Sequence, residues 1–287
     1  VMDYIIKQIR KYLNISQNDF AEMLGTSFAT INRWENERAK PSKMAEDRLI
    51  DICEKENIPA FDFIMDKIKD EVASLDIPSD RIVLYHGSKS GIVGEIKPQS
   101  RSQCDFGKGF YMGSIPEQPL TLICNFIDSK FYVVSFPKKT NNTMTFNDDL
   151  EWAMFIAFNR GKMNSAVGTS IYNKYSNLSN NIDVMIGSIA NDKMYQVLDD
   201  FFEETITDAA LVSCLSALKL GTQYVCITNK ACVDIKIEKE IPLSYMEKEI
   251  IKITSNKYRS EGKRLADDIY KKHRREGKYF DEILNEG

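Results

Sequence analysis

The chain contains only two histidines, and one of them, His86, stands where chemistry could be done. The apolar, β-favouring run Arg81–Tyr85 ends there and gives way to His86-Gly87-Ser88, a strand passing into a turn. Further on, Asp105-Phe106-Gly107-Lys108-Gly109-Phe110-Tyr111 sets a tyrosine behind two glycines, whose backbone shapes side-chained residues resist. An imidazole can bond a hydroxyl, a phenol ring offers a stacking face, and glycine backbone can approach a ligand closely. These residue types suit the gripping of a flat, polar ligand. The plainer alternative is a strand-end histidine satisfied by backbone and a tyrosine buried in an apolar core.

The remaining composition narrows the chemistry. The six cysteines (Cys53, Cys104, Cys124, Cys214, Cys226 and Cys232) form no CxxC pair, which reads as reduced thiols and as neither a disulfide framework nor a zinc site. With no metal constellation expected, reactivity would rest on side chains and an organic ligand. No GxGxxG follows a strand and no GxxxxGK[ST] occurs, so a dinucleotide would bind by another route. With a net charge of -4, no bilayer-spanning run and no signal-peptide character in residues 1–10, a soluble cytoplasmic protein without a membrane partner is expected. Val1, ahead of Met2, is set aside.

Tyr-His-Gly-Ser followed by Asp-Phe-Gly-Lys-Gly-Phe-Tyr resembles the start of the ADP-ribosyltransferase fold in its histidine–tyrosine–glutamate branch. It is similar to an uncharacterised bacterial family of that superfamily, over about Ile82 to Ile237, and the phrase Trp152…Phe158-Asn159-Arg160 recurs there too. The resemblance implies NAD as substrate. His86 would fix a ribose hydroxyl, the Gly87 backbone would pair with the carboxamide, and Tyr111 would stack on the nicotinamide, with Ser88 and Gly107 helping to hold the dinucleotide. Arg160 would meet the pyrophosphate, since a guanidinium fork matches phosphate oxygens. The family's third element is a glutamate opening a late strand, and here Gln223 stands in its place. Glutamine exchanges hydrogen bonds but brings no charge. Either Gln223 suffices, or Asp192 (or the more distant Glu238) supplies the carboxylate, or the domain binds NAD without turning it over. Asn191 is counted among the residues holding the dinucleotide, and Asp192 with Asn191 also reads as a helix N-cap. The expected activity is mono-ADP-ribosylation of an unknown macromolecular acceptor, of a toxin, defence or regulatory type; NAD sensing and NAD hydrolysis are the alternatives.

These groups need elements to hold them. Residues 1–75 carry helical periodicity, with Tyr4, Ile5, Ile9 and Leu13 in the first segment. Ser16 with Asp19 marks a helix start, Gly25 a stop, and Thr26-Ser27 the next start. This string, through Trp34-Glu35-Asn36 and Pro41-Ser42, resembles the repressor-type helix-turn-helix of the Cro and lambda-repressor kind. That resemblance points Gln17, Ser27, Phe28, Thr30, Asn32 and Arg33 at the major groove. Acids offset the bases of this module, so binding would need specific contacts or a homodimer. Phe28 could equally meet a thymine methyl or a protein partner.

After a linker at 76–80, residues 81–242 mix short strands with helices and lack a βαβ rhythm, which argues α+β. The resemblance specifies a split antiparallel sheet. Expected helices cover Glu117–Ser129, Asn147–Arg160 and Asp208–Leu218. Expected strands cover Phe131–Phe136, Asp183–Ile186, Gln223–Thr228 and Val233–Ile237. Lys162–Asn181 reads as loop or short helical turn. Residues 243–287 read as a helical tail, whose dense Lys and Arg are either a solvated face or a nucleic-acid footprint.

Overall fold

In a computed structural model, residues 2–140, 142–190, 194–218 and 221–286 are described. The N-terminal periodicity becomes five helices: α1 (Met2–Tyr12), α2 (Gln17–Leu24), α3 (Phe28–Glu35), α4 (Lys43–Lys55) and α5 (Ala60–Ala73). Ser16 and Asp19 close a reciprocal capping box on α2, which Gly25 ends in the left-handed region at φ 63°. The side chains of Ser27 and Ser42 cap α3 and α4. The apolar stripes meet in a core that includes Ile5, Ile9, Phe20, Ile31, Leu49 and Phe61.

The second unit alternates strands and helices: β1 (Arg81–Ser88), β2 (Phe110–Gly113), α6 (Glu117–Ile123), β3 (Lys130–Pro137), β4 (Thr143–Thr145), α7 (Leu150–Asn159), α8 (Ser170–Asn177), β5 (Val184–Ser188), α9 (Tyr195–Phe202), α10 (Asp208–Leu218), β6 (Thr222–Cys226), α11 (Asn229–Cys232) and β7 (Lys236–Ile241). The strands make one seven-stranded sheet in the order β4-β5-β6-β2-β1-β3-β7. The chain is therefore α+β. β1 pairs with β3 from Arg81↔Pro137 to Ser88↔Lys130, and β2 pairs with β6 along its length. Between β1 and β2 the register holds only Tyr85↔Gly113, so the sheet splits at its middle. One correction applies to the antiparallel expectation: β4 runs parallel to β5, which makes the sheet mixed.

The tail is α12 (Tyr245–His273), opened by a Ser244–Glu247 capping box, and α13 (Phe280–Glu286). Met246, Ile250 and Ile251 of α12 share the bundle's apolar cluster, together with Leu120 and Ile123 of α6 and Phe131 and Val133 of β3. Ala266 and Ile269 of the same helix join a second cluster with Leu211 and Leu215 of α10 and Trp152 of α7. One helix thus links the bundle's cluster to the cluster that holds Met185 of β5 and Val225 of β6.

Candidate functional site

Past Tyr85↔Gly113 no further residue pair joins β1 to β2 among the described residues, so His86 and Gly87 are unpaired on the β2 side. A cleft of about 560 Å³ lies there, walled by His86, Gly87, Tyr111, Arg160 and Gln223 among others. That volume falls within the range of roughly 300–1,000 Å³ usual for ligand pockets.

His86 Nδ1 lies 2.7 Å from the carbonyl oxygen of Tyr111. A carbonyl only accepts, so Nδ1 carries the hydrogen and Nε2 is left as an acceptor. The imidazole stacks on Phe110 with ring centroids 4.1 Å apart. Burial lowers its pKa below the ordinary histidine value, with the Tyr111 carbonyl partly opposing the shift. The ring is therefore neutral at pH 7.

The Tyr111 hydroxyl donates to the Gly107 carbonyl at 2.7 Å and accepts from the Phe106 N–H at 3.0 Å. Burial, reinforced by Asp105, pushes the phenol well above its usual pKa, so it stays protonated. The hydroxyl therefore holds the preceding loop, and the ring is the part left for a ligand. Gly107 has φ +73°, and a Cβ there would come within 3.0 Å of Asn159 Oδ1, so glycine is what allows this loop its shape. Ser88 turns its hydroxyl to the Gly91 carbonyl at 2.9 Å. Neither Gly107 nor Ser88 is in the cleft wall.

Arg160, at the end of α7, holds Asp105 Oδ1 through Nε at 3.1 Å and Nη2 at 2.7 Å. Its guanidinium also lies over the Tyr195 ring, 5.0 Å from the centroid, and Nη1 is 3.8 Å from Asp199 Oδ1. Nη1 is buried and makes no hydrogen bond. Gln223 is buried, and its Nε2 donates to the Ser188 carbonyl at 3.0 Å, an oxygen that also takes the Trp152 indole N–H at 3.1 Å. Asn191 and Asp192 lie outside the described residues. Glu238 sits on the edge strand β7, where it accepts from Ser135, remote from the cleft.

On the helical unit, Ser27, Phe28 and Arg33 are exposed along α3. Gln17 and Asn32 are half-buried in a network: Gln17 Nε2 donates to Glu35 at 2.6 Å, and Asn32 donates to Gln17 Oε1 at 3.3 Å. Arg10 grips both oxygens of the Glu35 carboxylate, Nε to Oε1 at 2.6 Å and Nη2 to Oε2 at 3.0 Å. Thr30 shares a hydrogen bond with the Ser27 cap.

Residues 82–237 match a family described as a protein of unknown function, DUF3990. The chain belongs to that family. Residues 6–45 match a helix-turn-helix family, which supports DNA binding. No curated protein and no solved structure matches the chain. Among the described residues no helix is long and apolar enough to cross a membrane.

The DUF3990 cleft also contains residues that sequence reasoning did not single out. Asp105 stood inside the quoted motif, yet its partnership with Arg160 spans two distant segments. Tyr195 and Asp199 of α9 and Gln118 of α6 line the wall as well, from helices whose sequences carry no motif.

Proposed function

We propose that the DUF3990 domain binds NAD in this cleft and transfers its ADP-ribose to an acceptor, while the helix-turn-helix brings the domain to DNA. The observation that carries the reading is the convergence of a neutral imidazole with a free Nε2, a stacking ring at Tyr111 and an unbonded guanidinium nitrogen at Arg160. Ribose hydroxyls, a flat pyridinium and a pyrophosphate are the three groups such a set complements. Asp105 already occupies one side of the Arg160 fork, and Nη1, with Asp199 at 3.8 Å and no hydrogen bond, is the nitrogen a phosphate oxygen would take up in competition with Asp199.

In the transfer, the bond between ribose C1′ and the pyridinium nitrogen breaks, and its electron pair leaves with neutral nicotinamide. The acceptor's nucleophile then bonds C1′ and gives up its proton. The leaving group needs little acid help; the positive charge growing on the ribose is what must be supported. Gln223 offers only a dipole there, and Asp105 is engaged by Arg160. This favours a second reading, in which the domain binds NAD as a sensor without turning it over.

Incubation with NAD, with His86→Ala as control, separates the readings. Nicotinamide release with label on a macromolecule supports transfer, and release with free ADP-ribose supports hydrolysis. NAD binding without release supports the sensor, and no binding defeats all three. For DNA, Arg33→Ala should weaken a gel shift and lower the salt dependence by about one counterion. An unchanged shift would defeat the assigned recognition face.

A further inference from the structure

Within α6 the buried residues are Gln118, Pro119, Leu120 and Ile123, and Gln118 is the polar exception among them. The residue is 7% exposed and lines the same cleft as His86 and Gly87, and its Oε1 is buried without a hydrogen-bond partner. Buried amide groups are ordinarily satisfied, so one left open calls for a partner from outside the chain. The backbone there is held firmly. Thr121 Oγ1 donates to the Gln118 carbonyl at 2.9 Å, and a Cβ placed on Gly87 would be 2.6 Å from the Pro119 carbonyl oxygen. The helix therefore lies directly against β1 at Gly87, and Gln118 occupies a fixed place in the wall.

We propose that Gln118 is a ligand-contacting residue whose amide pairs with a primary carboxamide on the ligand, selecting an amidated pyridine over the corresponding carboxylate. The proposal rests on the NAD reading. An amide presents donor and acceptor side by side, and so does a carboxamide, so the two can satisfy each other. A carboxamide has two N–H groups and two lone pairs, enough to engage the Gly87 backbone and Gln118 together. A pyridine carboxylate offers only acceptors, and its charge would face the Gln118 carbonyl oxygen. The charges of the wall nearly offset: Arg101, Arg160 and Lys162 stand with Asp105 and Asp199, and Arg160 is paired to both acids, so the remaining balance is weakly positive and does not disfavour an anion. A preference for the amide therefore cannot come from the field of the cleft and has to come from a local hydrogen-bonding group.

The test is a titration of the full chain with NAD, with its deamidated analogue (carboxylate in place of carboxamide) and with ADP-ribose, which lacks the pyridine. Gln118→Met is the variant, similar in size and unable to bond. The unaltered protein should prefer NAD over the deamidated form. Gln118→Met should lose about tenfold in NAD affinity, the effect of one or two neutral hydrogen bonds, and lose that preference. Its ADP-ribose affinity should stay unchanged, which also reports that the cleft is folded. Equal loss for NAD and ADP-ribose, or an intact preference for NAD, overturns the role of Gln118 while leaving the NAD reading standing. Absence of NAD binding to the unaltered protein overturns both.

Discussion

Tyr111 divides its work between two ends of one side chain, and the division can be measured. Its hydroxyl ties down the loop through Gly107 and Phe106, while its ring faces the cleft. Tyr111→Phe keeps the ring and leaves a backbone N–H and a carbonyl without their partner, a loss of about 1–3 kcal/mol in stability. NAD affinity should change little. Tyr111→Ala should lose stability and affinity together. Urea unfolding and NAD titration of the two variants check this. A Tyr111→Phe variant of normal stability that no longer binds would show that the hydroxyl, not the ring, touches the ligand. Residues of this kind were readable from sequence because glycines flank them and advertise unusual backbone. Gln118 was not: what marks it is a missing partner, and no residue type or spacing encodes that. Arg160 was conspicuous in an apolar helix, but its tie to Asp105 exists only once α7 is packed against the loop before β2.

Two elements set the cleft, the split in the sheet and α6 leaning on it, and the second depends on Gly87. A Cβ there would stand 2.6 Å from the Pro119 carbonyl oxygen and 2.7 Å from Ile123 Cγ2. The first of these is backbone and cannot swing away. Gly87→Ala should therefore push α6 off β1, lower stability by about 1–3 kcal/mol and weaken ligand binding with it, as unfolding and titration would record. Normal stability with normal binding would mean that α6 moves freely over the strand. The elements were legible where caps and periodicity agree, as at Ser16, Gly25 and Ser27. They were obscure where tertiary pairing overrides local preference. β4 is three residues long and exists as a strand because β5 lies alongside it. α8 hides in a polar run, but Thr169 caps it by accepting from the Tyr172 N–H. β7 was expected at Val233–Ile237, and it runs Lys236–Ile241 through Glu238, Lys239 and Glu240. Charges that discourage a strand assignment are tolerated on an edge strand, where they also deter pairing with another chain.

At the scale of the whole molecule, the bundle and the DUF3990 domain are joined by more than the linker at 76–80. Lys67 of α5 meets Glu247 of α12 at 2.6 Å, with side chains 5% and 0% exposed. Glu247 also accepts from the Ser244 N–H at 2.7 Å, closing the cap of α12. Beside it, Glu46 of α4 accepts the Met246 N–H at 2.7 Å, and burial raises that carboxyl's pKa. Around these polar ties the bundle's apolar cluster continues into α6, β3 and α12. Removing the ammonium leaves a carboxylate buried with no counter-charge, so Lys67→Met should cost about 3–5 kcal/mol, far more than the pair itself contributes. Because Glu247 sits at the start of the helix that both cores share, the loss should not stay local. Trp34 lies in the bundle and Trp152 beneath the cleft, so intrinsic fluorescence reports on both regions. A shared core requires a single urea transition, moved as a whole to lower denaturant in Lys67→Met. A variant in which the transition divides, with one part left at its original midpoint, would show that the two units fold apart. It would also mean that ligand in the cleft has no mechanical route to the DNA-reading helices. A single shifted transition would keep that route open through α6 and α12.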